Sequence, residues 1–227
     1  MIKLIIFDWD DVFTKGATEG YFACYHAAME YVGIHLQPEE EQKRVKAKWG
    51  ATIPEEFAEL LKEHPELIDK AVKKFGEVMV GNTFVDHLTL VEGSPELVER
   101  LSKKYKLAIA SGVNPQVLKE KIFPKFSIPN VFSEIITVYD LDDPTHAKPH
   151  PYMPQEIMRK LNISPKETIL VGDAPGDMKM AQSAGVTPVA VLTGHMNKEQ
   201  AESLGIKYII ENVTKLEEVL DSIESSI

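Results

Sequence analysis

The chain has 227 residues, 44% apolar and 26% charged, with a formal net charge of -10. That length supports one sizeable core, or a core with a small second lobe, and the acidic balance disfavours nucleic acid or an anionic membrane surface as partner. A single cysteine, Cys24, excludes an internal disulfide framework and suits a reducing compartment. No apolar run approaches the roughly 20 residues needed to span a bilayer. Met1-Ile2-Lys3 leads straight into a short strand pattern rather than a secretory signal, so the expected location is cytoplasmic.

The first element is the strongest. The continuous apolar run Leu4-Ile5-Ile6-Phe7 reads as a strand buried on both faces, as in a parallel sheet. It stops at Asp8, Asp10 and Asp11. In open α/β sheets ligands bind at the carboxyl ends of strands, so the placement suggests a site. On extended backbone Asp8 and Asp10 would leave the same face, and like charges held that close need a cation or a shared proton between them. Asp also favours turns, which is the plainer account of the same residues.

Residues 14–86 then read as helices. Tyr21, Phe22, Tyr25, Ala28, Met29 and Val32 recur at helical spacing up to Gly33. Pro38, Pro54 and Pro65 each precede acidic residues and open a further helix. None of this segment reads as strand, and Trp49-Gly50-Ala51-Thr52 falls in a turn with the Trp read as packing. From Val91 onward strands and helices alternate. The strands are 106–110, 135–138, 168–171, 188–192 and 208–210; the helices begin near Ser94, Asn114, Pro151, Met178, Lys198 and Thr214. That alternation predicts a doubly wound parallel sheet.

Four strand ends carry polar groups that one sheet edge would bring together. They are Asp8, Asp10 and Asp11; Ser111-Gly112; Lys148-Pro149; and Gly172-Asp173 with Asp177. Singly, each has a plain structural reading as turn, cap or exposed lysine. His146 and His150 stand four apart, but the Pro149-x-Pro151 context argues against a helix aligning them for a metal. GxGxxG, GxxxxGK[ST] and GxSxG are all absent. Taken together, a lysine, a hydroxyl and several carboxylates suit Mg²⁺ and a phosphate ester, with an Asp able to act as a covalent nucleophile.

The ordered set Asp8-Trp9-Asp10-Asp11-Val12, Ser111, Lys148 and Gly172-Asp173…Asp177 resembles the four motifs of the haloacid dehalogenase superfamily, in its capped phosphatase branch. Phosphoglycolate phosphatases and β-phosphoglucomutases belong there. The resemblance covers nearly the whole chain. It implies a Rossmann-like α/β core of residues 1–13 and 87–227, with an inserted all-helical cap, residues 14–86, that closes over the substrate and selects it.

The resemblance also implies a Mg²⁺-dependent hydrolysis of small phosphomonoesters. Asp8 would attack phosphorus and Asp10 would serve as general acid and base. Ser111, Gly112 and Lys148 would grip the phosphoryl group. The Asp8 side chain, the Asp10 backbone carbonyl and Asp173 would hold the metal, with Asp177 in support. The partner is then a small phosphorylated metabolite, and the chain a monomer or homodimer. One departure is Asp11, where the family usually has Gly; Asp is among the less costly residues in a left-handed conformation. Within the fold a hexose phosphomutase is the alternative, since Val12 resembles that branch, and Asp11 keeps open a binding protein that has lost activity.

Overall fold

The computed structural model describes residues 1–48 and 52–225. The reading of Trp49, Gly50 and Ala51 therefore lies outside the described residues. The chain divides into two compact units, Met1–Lys15 with Thr89–Ile227, and Gly16–Leu88.

The first unit is built on a six-stranded parallel sheet. Its strands are β1 Leu4–Phe7, β4 Lys106–Ser111, β5 Phe132–Thr137, β6 Thr168–Gly172, β7 Thr187–Val191 and β8 Tyr208–Ile210. The order β5-β4-β1-β6-β7-β8 places β1 at the centre. β1 pairs with both neighbours in step, Phe7 opposite Ile109 and Val171. The three chains therefore leave the sheet at the same edge, where Asp8, Ser111 and Asp173 stand. All four β1 residues are fully buried. Leu4 and Ile6 pack with Met153, Ile157 and Met180 of the helices Tyr152–Leu161 and Pro175–Ala184, while on the other face Phe7 meets Phe13 edge-on at 5.0 Å. A doubly wound α/β sheet is what the alternation predicted.

The strands depart from expectation at one place. β2 Thr14–Lys15 pairs antiparallel with β3 Thr89–Leu90 in a two-stranded ribbon of this unit, although residues 14–86 carried no expected strand. Two residues per strand are too few to show a period. β1 ends at Phe7, as the apolar run implied, and residues 10–13 form a turn in which the N–H groups of Val12 and Phe13 donate to the Trp9 carbonyl. Asp10 is the first residue of that turn, so the regular strand alternation stops before it.

That turn is anchored by Trp9, which is fully buried. Its ring stacks on Phe13 at 4.8 Å and meets Phe123 at 5.1 Å and Phe132 at 6.4 Å. Trp9→Ala would leave a large cavity beneath the acidic turn, and the expected loss is about 3–5 kcal/mol, read from urea unfolding. A loss below about 1 kcal/mol would show the anchor to be dispensable.

The second unit is helical, with helices Ala17–Tyr31, Pro38–Ala47, Ile53–Leu60, Ile68–Met79 and Thr83–Asp86. Its core gathers Tyr25, Phe57 and Phe75, with ring centroids 4.6 to 5.8 Å apart. Two buried acids are partnered inside it: Glu56 accepts from the Tyr25 hydroxyl, and Glu41 pairs with His26 at 3.2 Å. Among the described residues no helix is long and apolar enough to cross a membrane.

Candidate active site

Each predicted residue stands at or just beyond the carboxyl edge of the sheet. Asp8 follows β1 and its N–H donates to the Val171 carbonyl at 2.9 Å, which ties it to β6. Asp173 follows β6. Asp177 sits in the first turn of the helix Pro175–Ala184, where its Oδ2 accepts from the Ala174 N–H at 3.1 Å. Acidic residues near a helix N-terminus are favoured by the peptide dipoles, which is the local reason for its place. The helix also lies tightly against the strand end: a Cβ on Gly172 would run into the Asp177 side chain. Any larger residue would push that carboxylate away.

Lys148 draws these groups together. Its Nζ lies 2.7 Å from Asp8 Oδ1 and 2.7 Å from Asp177 Oδ1. Asp8, Asp173 and Asp177 also bring a carboxylate oxygen each within 4.8 Å of one another, and all three are buried. Burial by itself would lower the Lys148 pKa, but the charges of Asp177 and Asp8 outweigh it and the ammonium is held firmly protonated. Burial pushes the Asp173 carboxyl well above its usual value, and the charges of Asp177 and Asp8 push it further. Asp177 is also raised by burial, with Lys148 opposing. One ammonium against three buried carboxylates leaves excess negative charge. The donors are hard oxygens, so the set fits a divalent cation.

Ser111 is the last residue of β4, buried, and its Oγ accepts from the Val113 N–H at 3.3 Å. Gly112 follows it with open space where a side chain would stand. Asp10 lies half-buried in the turn after Asp8. His146 and His150 stack at 4.6 Å, and His146 stacks on Tyr152 at 4.6 Å. Neither histidine joins a group of clustered metal-ligating side chains among the described residues.

Asp11 adopts φ +56° and is buried. The left-handed conformation is the one for which Gly is the least costly residue. Its carboxylate does not point away from the site: Oδ2 lies 3.7 Å from His195 Nε2, and Asp11, Asp173 and His195 form a second group of ligating atoms within 4.8 Å. Asp11→Ala is expected to be about 1 kcal/mol less stable than Asp11→Gly, since only Ala bears the Cβ strain. Equal melting temperatures would contradict this. The turn at residues 193–195 that faces Asp11 had no expected role in the site. The available signal was its place just past the expected strand 188–192, at the same edge as the other groups.

A family model for haloacid dehalogenase-like hydrolases matches residues 2–185. The chain belongs to that family. This haloacid dehalogenase-like hydrolase is 28% identical to the pyrophosphatase PpaX of Oceanobacillus iheyensis over 128 residues, 56% of this chain and 60% of the relative. The chain thus spans about 60% of the length of that curated relative. The match to the probable phosphatase IndB of Dickeya dadantii is fuller, 24% over 222 residues, 95% and 92% of the two chains. Among solved structures, a predicted phosphoglycolate phosphatase from Haemophilus somnus superposes with a TM-score of 0.80 at 20% identity, covering 96% of this chain and 97% of the other. At that identity the likeness is one of fold.

Proposed function

We propose that this haloacid dehalogenase-like hydrolase is a Mg²⁺-dependent phosphatase of small phosphate esters, acting through a phospho-aspartyl intermediate on Asp8. The observation that supports it most is Lys148 held between Asp8 and Asp177 beside the buried Asp173. A carboxylate nucleophile has to approach a phosphoryl group that is itself anionic, and fixed positive charge at that point lowers the barrier.

In this reading the Asp8 carboxylate attacks phosphorus and the ester P–O bond breaks, with Asp10 giving its proton to the leaving oxygen. Water then attacks the acyl phosphate, Asp10 takes up its proton, and phosphate leaves as the Asp8 carboxylate is restored. Lys148, the Ser111 hydroxyl and the Gly112 N–H bind the phosphoryl oxygens. The Asp8 and Asp173 carboxylates and the Asp10 carbonyl would hold Mg²⁺, which when bound neutralises charge on the phosphoryl oxygens.

The test is phosphate release from a panel of small phosphomonoesters with Mg²⁺ and with EDTA. Release that depends on Mg²⁺ supports the reading and identifies the substrate class, and release that is equal with EDTA contradicts it.

The raised acids predict a pH dependence. A carboxyl whose folded pKa exceeds its unfolded value near 3.8 loses stabilising free energy as pH rises from that value through the folded pKa. Metal binds only the ionised form and offsets the repulsion. The rise in melting temperature on adding Mg²⁺ is therefore expected to be larger at pH 8 than at pH 5. Equal rises at both pH values would contradict it.

A further inference from the structure

β7 ends at Val191, and the residues after it pass beside two other strand ends. The His195 N–H donates to Asp173 Oδ2 at 2.9 Å. The Thr193 hydroxyl donates to the Asp11 carbonyl at 2.5 Å. The His195 ring faces the Asp11 carboxylate at 3.7 Å. Between these two residues, Gly194 runs so close to Asp173 that a Cβ there would strike the carboxylate. Three consecutive residues therefore hold both the acidic turn after β1 and the carboxylate after β6.

Asp173 needs such a hold. It is buried, and the charges of Asp8 and Asp177 repel it. Without a donor its carboxylate would rotate away from them. The His195 N–H fixes one oxygen and so sets the direction of the other. Outer hydrogen-bond partners of this kind orient metal-ligating carboxylates, and their loss typically reduces metal affinity 10- to 100-fold.

We propose that residues 193–195 are the positioning element of the metal site: the His195 N–H and the missing side chain of Gly194 orient Asp173, and Thr193 locks the acidic turn beside it. This rests on the metal-dependent reading above. It assigns a specific role to the end of β7, and it makes His195 a positioning residue through its backbone rather than its ring.

The experiment is Mn²⁺ binding to the full chain, with free Mn²⁺ read by electron paramagnetic resonance. Gly194→Ala is expected to raise the Mn²⁺ Kd about 10- to 100-fold. Thr193→Val is expected to raise it as well, and Thr193→Ser, which keeps the hydroxyl, to restore it. His195→Ala keeps the N–H, so its Kd is expected to stay within about threefold of the wild type, far inside the loss from a missing outer partner. If Gly194→Ala fails to fold, the Thr193 pair decides. Folded Gly194→Ala and Thr193→Val proteins that bind as the wild type does would overturn the inference alone. So would a His195→Ala loss as large as that of Gly194→Ala, since the ring would then be the group holding the metal. A wild-type chain that binds no Mn²⁺ would instead overturn the metal-dependent reading, and this inference with it.

Discussion

Asp8→Asn is expected to lower turnover of every accepted phosphate ester by about 10⁴-fold or more while leaving the fold intact. The amide fills the same volume as the carboxylate and keeps an oxygen facing Lys148, so packing at the end of β1 changes little. Lys148 also retains Asp177 at 2.7 Å. What disappears is the charge that makes the oxygen a nucleophile, and with it one proposed metal ligand. The check is steady-state kinetics beside a thermal melt. A folded variant with turnover within about tenfold of wild type would remove Asp8 from the nucleophile's role.

Asp173→Asn is expected to separate stability from activity. The carboxylate it removes is buried, desolvated and repelled by Asp177 and Asp8. Two like charges within 4.8 Å interact unfavourably by about 3 kcal/mol at an effective dielectric of about 20. Asn keeps an oxygen to accept from the His195 N–H, so no buried donor is orphaned. Metal-free Asp173→Asn is therefore expected to melt several degrees higher than the metal-free wild type at pH 8, given about 2–4 °C per kcal/mol for a chain of this size. The Mg²⁺-induced rise and the activity should both disappear. Sites that concentrate like charge are held at the expense of stability, and relieving them commonly stabilises the protein and removes function. A lower metal-free melting temperature would contradict the electrostatic account of this site.

Much of this arrangement was legible in the sequence, for identifiable reasons. Leu4-Ile5-Ile6-Phe7 is apolar throughout because β1 is central and covered on both faces, a pattern that few other elements produce. The groups at the ends of β1, β4 and β6 could be placed on one edge because parallel strands all run the same way. Lys148 was legible from its motif, but its two carboxylate partners were not, since they come from segments more than a hundred residues upstream and about thirty downstream. The ribbon of β2 and β3 was missed because each strand has two residues. A turn after β1 was legible as the plainer account of its acidic residues, but its course over residues 10–13 was not, because a strand's apolar run says where the strand stops, not how the chain bends afterwards. Thr193, Gly194 and His195 were missed as site residues because two of their four contacts use a backbone group or the absence of a side chain, which composition and spacing do not encode. Asp11 was visible as a departure from the family pattern, and its φ of +56° gives the physical reason why Gly is common there.

Catalysis through Asp8 requires a covalent bond between its carboxylate and the transferred phosphoryl group. The direct measurement is rapid acid quench of the enzyme during turnover of a ³²P-labelled ester that it accepts, followed by peptide mapping of any label retained. The expected result is transient, alkali-labile label on the peptide bearing Asp8, absent from Asp8→Asn. Active enzyme that carries no label at any quench time, or label that maps elsewhere, would contradict it.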